Sequence, residues 1–324
     1  MNIQSATAIA HPNIAFIKYW GNIDDALRLP RNGSISMNLQ ELTTRTTVTL
    51  DPSLPRDIFD LNGVRQNGDA LQRVTDHLNL IRGIRGISTR AHIHSQNDFP
   101  AESGIASSAA AFAALTVAAV RVVGIEMSEK DLSRIARRGS GSACRSIPQG
   151  FVEWLRGSSD KASYAISIAA PDHWPLSDCI ALVDTTNKKV TSSQGHRASS
   201  SSPIQEGRVL DAPHRLERCQ DAIMARDFSA LAEVMEQDSN LLHAVTMTSV
   251  PAVYYWQTVT LDIMQAVIAW RQTGSPVAFT IDAGPNVHVI CEGSVSSLVR
   301  EKLLDIPGVQ DVLVAHPGGK AMLV

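Results

Sequence analysis

The chain has 324 residues, 44% of them apolar and 19% charged, with a formal net charge of −3. That length suits one large domain or two packed lobes, and that balance suits a buried core, not a disordered chain. A charge so near neutrality excludes a global basic field for nucleic acid or an anionic membrane, so any anion site must be local.

Met1 to Ala10 lacks the basic start and long apolar run of a secretory signal. The first 50 residues read as strands and turns, and the β-branched alternation of 43–50 predicts a strand. Asp51 to Gly68 carries Asp-Pro, Leu-Pro and Asn-Gly turn signals and reads as a hairpin region. Leu71, Val74, Leu78 and Ile81 recur at helical spacing within 70–81. Thr89 to His94 alternates as a strand. Gly104 to Val123 is a long, Ala-rich apolar run that predicts a buried helix. Ser128, with Asp131 three residues on, starts another helix that ends near Gly139. Strands are expected at 151–154, 164–168 and 180–183. Residues 186–203 are polar and Ser-rich and read, on composition, as a solvated linker. Helices are expected at 215–225, 228–242, 254–274 and 295–304, and strands at 277–281, 287–291 and 312–315. No run reaches the roughly 18 apolar residues of a membrane span. Cys144, Cys179, Cys219 and Cys291 form no CxxC pair, which argues against a zinc site or disulfide framework and suits a reducing cytoplasm. The pattern predicts an α+β protein of two lobes, 1–185 and 186–324.

Chemistry concentrates in three places. Pro100-Ala101-Glu102-Ser103-Gly104-Ile105-Ala106-Ser107-Ser108-Ala109 is a polar, Gly-containing loop entering a long helix. Free backbone N–H groups and the helix dipole suit a polyphosphate there, and Ser107 and Ser108 can reach phosphate oxygens or Mg²⁺. It lacks the Gly-Lys of a P-loop, and a Ser-rich cap on a core helix is the plain alternative. Arg145, in Gly139-Ser140-Gly141-Ser142-Ala143-Cys144-Arg145-Ser146, offers a permanently charged fork for a carboxylate, or else pairs at the surface. Asp282 stands in a strand-end turn before Gly284 and Pro285, where a turn-forming Asp is also common.

The loop at 100–109 resembles the Pro-x-x-x-Gly-Leu-x-Ser-Ser-Ala motif of the GHMP kinases, with Ile105 where Leu is usual. Three more segments narrow the likeness. They are 13–21 with 29–36, 139–146 with 150–154, and Phe279-Thr280-Ile281-Asp282-Ala283-Gly284-Pro285-Asn286. In that order, over nearly the whole chain, they resemble the diphosphomevalonate decarboxylase family. The resemblance implies the GHMP fold, two α+β lobes around a deep cleft for ATP and substrate. It implies ATP phosphates cradled by Pro100, Ser103, Gly104, Ile105, Ala106, Ser107 and Ser108, with Mg²⁺ at Ser107 or Ser108. It implies a catalytic set of Asp282, Lys18 and Arg145, Asp282 standing near the C3 hydroxyl as base or orienting group. Tyr19, Asn22, Ser140, Gly141, Ser142, Ser192, Ser193 and Gln194 match positions around the 5-phosphate end. This turns the Ser-rich segment from linker into pocket wall. A cytoplasmic homodimer acting on a phosphorylated mevalonate is also implied.

Two departures matter. Members using the diphosphate usually carry Lys where this chain has Asn22, and some bacterial members carry Arg where it has Gln194. One lost charge-assisted contact costs about 1.5–3 kcal/mol, or roughly ten- to a hundredfold in binding. The expected substrate is therefore mevalonate 5-phosphate, converted to isopentenyl phosphate. The alternative is the diphosphate, with Arg31, His196 or Arg197 supplying the missing charge. A mevalonate 3-kinase is expected to lack the full Asp–Lys–Arg set, and a non-catalytic binder is expected to have lost Asp282 or the Ser-Ser pair.

Overall fold

A computed structural model of the chain describes residues 4–99, 107–184 and 191–324. In chain order it begins with β1 (Gln4–Ala10), β2 (Asn13–Ile17), β3 (Asn22–Asp24), β4 (Leu29–Pro30), β5 (Ser34–Asn38), β6 (Thr44–Leu50), β7 (Ile58–Leu61) and β8 (Val64–Gln66). Then follow α1 (Gly68–Arg85), β9 (Ala91–Asn97), α2 (Ser107–Val122), α3 (Glu129–Gly139), β10 (Phe151–Trp154), β11 (Ala165–Ala169) and β12 (Leu176–Leu182). The last part holds α4 (Ser192–Ala198), α5 (Gln205–Ala225), α6 (Phe228–Thr248), α7 (Thr258–Gln272), β13 (Val277–Thr280), β14 (Val287–Glu292), α8 (Ser296–Leu304), β15 (Asp311–Ala315) and β16 (Met322–Leu323).

The described residues form three larger sheets and the two-stranded pair β3-β4. The first, in the order β16-β1-β6-β9-β7-β8, is antiparallel except where β7 meets β9. Its inner face, with Ala8, Val48 and Ile93, packs on Leu78 and Ile81 of α1 and on the Ala-rich α2. Small side chains on α2 let it lie close to both β1 and β6, so the run of alanines is a packing device. The cap expected on α3 forms, with the Ser128 hydroxyl accepting from the Asp131 N–H. The second sheet, β11-β10-β5-β2, buries Ile14, Phe16, Ile35 and Met37 against Ile223 of α5 and Leu231, Val234 and Met235 of α6. The third, β13-β14-β12-β15, packs Phe279, Val287 and Val289 on Ile263 and Val267 of α7 and Leu303 of α8.

Residue 185 does not separate these sheets. β12 precedes it yet hydrogen-bonds to β14 and β15, and β16 returns from the chain's end to pair with β1. α5 starts at Gln205, ten residues before the helix expected from periodicity. Pro213, whose missing N–H normally breaks a helix interior, lies within α5. Here Arg208 and Arg215, on either side of that proline, are both tied to Asp238 of α6, and the helix runs through. α7 begins at Thr258, four residues after its expected start, and α6 continues to Thr248.

Candidate active site

Lys18 follows β2, and Asp282 stands just beyond β13. The Lys18 Nζ donates to Asp282 Oδ1 at 2.6 Å. Lys18 is 2% exposed and Asp282 28%, so the carboxylate looks into open space while the ammonium is enclosed. Burial pulls the Lys18 ammonium below the ordinary lysine range, against the opposing charge of Asp282. Burial also works against charge on Asp282. The neighbouring Lys18, with His288 and Arg145 adding, outweighs it and holds the carboxyl below its ordinary value. At neutral pH the carboxylate is ionised.

One helix fixes both partners. Asp238 of α6 accepts from the Lys18 backbone N–H at 2.6 Å, and the next residue, Ser239, accepts from the Ile281 N–H at 3.0 Å. Arg208 donates to the Lys18 carbonyl at 2.8 Å, and Arg215 Nε donates to Asp238 at 2.8 Å. Asp238, Arg208 and Arg215 are fully or almost fully buried. Sequence reasoning missed all three. The available signal was phase, because Asp238 lies on the apolar stripe of Leu231, Met235, Leu242 and Val245, where an unpaired charge would be costly.

Arg145 is carried by the 3₁₀ turn Gly141–Ser146 and is 3% exposed. Its Nη1 donates to Ser34 at 2.6 Å and its Nε to Asn13 at 3.2 Å. Asn13 also donates to Ser146 at 2.8 Å, so the guanidinium is held from β2, β5 and its own turn. Its Nη2 makes no hydrogen bond to a described residue and remains available. The Arg145 charge acts on both Asp282 and Lys18, so the sequence-predicted set comes together.

Of the residues expected at the 5-phosphate end, Asn22 and Gly141 meet Tyr19. Tyr19 donates its hydroxyl to Asn22, and Asn22 donates to Asp25 at 2.7 Å. Burial pushes the Tyr19 hydroxyl above its ordinary pKa, so it stays a donor. Gly141 is required here, because a Cβ would stand 2.6 Å from the Tyr19 ring. Ser140 caps the C-terminus of α3, and its hydroxyl lies 3.3 Å from that of Ser108 in the first turn of α2. The helix expected to face ATP phosphates thus touches the segment expected to face substrate. Pro100, Ser103, Gly104, Ile105 and Ala106 lie outside the described residues. Ser107 opens α2. Among the described residues there is no group of three or more His, Cys, Asp or Glu able to hold a metal. The hydroxyls of Ser107 and Ser108 are hard oxygen donors of the kind Mg²⁺ accepts beside phosphate.

The Ser-rich segment is structured where it is described. Thr191 caps α4, which Ser192 and Ser193 open. The Gln194 side-chain oxygen accepts from the Thr191 N–H at 2.8 Å, so this amide serves the helix end. α4 packs on the site through Gly195, where a Cβ would meet the Trp20 ring at 2.6 Å, and through His196, stacked against Tyr19 and Trp20. His196 Nδ1 accepts from the Gly21 N–H at 2.9 Å, which places its proton on Nε2. Burial, with Arg28, Arg208 and Arg145 adding, pushes its pKa down to about 3, so His196 is neutral. Arg31 is occupied by Glu206 through two bonds of 2.6 and 2.8 Å.

Residues 10–165 match the diphosphomevalonate decarboxylase-like N-terminal domain, and residues 179–311 match the mevalonate 5-diphosphate decarboxylase C-terminal domain. The diphosphomevalonate decarboxylase of Ganoderma lucidum is 38% identical over 89% of this chain and 78% of its own length. A solved structure of the mevalonate diphosphate decarboxylase from Enterococcus faecalis, concerned with mevalonate diphosphate mediated ATP binding, superposes with a TM-score of 0.94. It is 37% identical and covers 100% of this chain and 99% of its own. A structure of MDDEF in complex with MVAPP, AMPPCP and magnesium has the same TM-score, identity and coverage. Together with the enclosed lysine, the open carboxylate and the buried fork, these matches settle the affiliation: the chain belongs to the diphosphomevalonate decarboxylase family.

Proposed function

We propose that this enzyme converts mevalonate 5-diphosphate to isopentenyl diphosphate, using ATP and Mg²⁺ to phosphorylate the C3 hydroxyl before decarboxylation. The observation that carries it is an ionised Asp282 held against Lys18, with the Arg145 fork beside them. Asp282 accepts or orients the proton of the C3 hydroxyl. Lys18 keeps Asp282 ionised and offsets negative charge on the phosphoryl group in transit. Arg145 presents its free Nη2 to the substrate carboxylate. ATP supplies the phosphoryl group, and Ser107 or Ser108 would hold Mg²⁺, which would supply charge neutralisation at the phosphates. The C3–O bond then breaks as phosphate leaves, the electrons of the carboxylate C–C bond form the alkene, and CO₂ departs. Ser140, Gly141, Ser142, Tyr19 and the α4 segment face the 5-phosphate end.

The monophosphate preference expected from Asn22 is not supported by the relatives above, which are named for the diphosphate. One observation keeps it as a second reading. Arg31 is engaged by Glu206 and His196 is neutral, so neither of these two expected substitutes brings free charge. The test is turnover on mevalonate, its 5-phosphate and its 5-diphosphate, with ADP and CO₂ followed separately. ADP and CO₂ chiefly from the diphosphate supports the proposal, preference for the monophosphate supports the second reading, and ADP without CO₂ refutes both. A homodimer in a reducing cytoplasm, with four buried thiols, belongs to the same proposal, and light scattering tests its dimeric part.

A further inference from the structure

The short hairpin of β3 and β4 holds two residues whose chemistry is complementary. Asn22 pairs with Pro30 across it, and its amide is already bonded to Tyr19 and Asp25, so position 22 presents no positive charge. Arg28 sits in the same hairpin, immediately before β4, with a φ of +49°. A left-handed backbone is costly for a residue with a Cβ, and such strain persists where the surroundings demand one direction from a side chain. That direction is inward. The Arg28 Nε donates to the Arg138 carbonyl at 3.1 Å, two residues before Ser140. This bond anchors the guanidinium beside the Ser140–Ser142 segment and leaves both terminal amino groups without a partner among the described residues. No described carboxylate lies within ion-pair distance of it. The Arg28 charge is the largest charge effect on both the Tyr19 hydroxyl, expected at the 5-phosphate end, and the His196 ring, and it also acts on Arg73 and His77. Arg73 reaches the neighbouring Gly139 carbonyl at 3.4 Å, but it lies over the Phe112 ring on the α1–α2 side.

We propose that Arg28 is a specificity-determining residue, its free fork meeting the terminal phosphoryl group of the substrate diphosphate and supplying the charge that Asn22 lacks. An anchored guanidinium with two free amino groups suits two phosphoryl oxygens. The inference rests on the diphosphate reading above.

The test compares wild type, Arg28→Gln, Arg28→Lys, Asn22→Lys and the double variant Arg28→Gln with Asn22→Lys. KM and kcat are measured for mevalonate 5-diphosphate and 5-phosphate, together with KM for ATP. Arg28→Gln is expected to raise KM for the diphosphate roughly ten- to a hundredfold, the worth of one charge-assisted contact. The monophosphate and ATP KM values change less than about threefold, a split that a purely structural role would not produce. Arg28→Lys recovers part of the loss, and the double variant recovers most of it. An unchanged diphosphate KM, an equal rise for both substrates, or a rise in the ATP KM overturns the inference. Should Arg28→Gln fail to fold, Asn22→Lys alone decides. With Arg28 already in place it lowers the diphosphate KM by less than about threefold, and a tenfold fall would mean the terminal phosphoryl had been unmet. Absence of wild-type turnover on the diphosphate removes the functional reading and this inference with it. Intact turnover with unmoved KM values removes this inference alone.

Discussion

Asp57, in the loop before β7, and Arg82 of α1 meet as a closed pair. Arg82 donates to both carboxylate oxygens, at 2.9 and 2.6 Å, and the Ala91 N–H adds a third bond of 2.8 Å. The Asp57 side chain is wholly enclosed. Lys18 and Asp282 meet through one contact, with the carboxylate open to the cleft. Both are buried cation–carboxylate pairs, and in both the carboxyl is held below its ordinary pKa although burial opposes it. The difference is residual capacity. The first pair spends its carboxylate on holding α1 to the first sheet, while the second leaves its carboxylate partly exposed.

This contrast can be broken from either side. The largest effect is expected from Asp282→Asn, which removes the base or orienting group and lowers kcat by about 10²–10⁴-fold. Circular dichroism should show an unchanged fold, and unchanged turnover would refute the assignment. Asp57→Asn should do the reverse, costing about 3–5 kcal/mol of stability because Arg82 is left enclosed without a counter-charge. Urea unfolding measures that loss, and kcat at a temperature where the variant is folded should match wild type. Arg145→Lys keeps charge but loses the fork, and kcat/KM should fall roughly ten- to a hundredfold. The smallest effect is on pH dependence. The Lys18 pKa is lowered, so its proton leaves earlier as pH rises, and the alkaline limb of kcat should fall below the ordinary lysine range. The Asp282 pKa is lowered too, so Asp282 stays ionised until pH drops below the usual carboxylate range, and it sets no acid limb near pH 5–6.

Local order was legible. The 43–50 strand, the α1 and α3 helices and the apolar run of α2 follow from short-range spacing and caps. Lys18, Arg145 and Asp282 could be singled out because each sits in a compact motif, and the structure brings Lys18 and Asp282 into contact. What stayed hidden depends on partners distant in sequence. Nothing around Met322 and Leu323 announces a strand, since its hydrogen-bonding partner, β1, lies at the other end of the chain. The start of α5 was hidden because Pro213 is a local veto, overridden by Arg208 and Arg215 reaching another helix. Gln194 was assigned to the substrate, and its side-chain oxygen also accepts from the Thr191 N–H at the start of α4, a contact that residue type alone does not announce.

Asp238 and Ser239 are neighbours on one helix, and they grip the two strand ends that carry Lys18 and Asp282. The gap between ammonium and carboxylate is therefore gauged by a single peptide step of α6, not by the angle between sheets. A displacement of α6 would carry Lys18 and Asp282 together, as one jaw of a vice. The distance between these two groups is thus set within one helix and is independent of the packing between sheets.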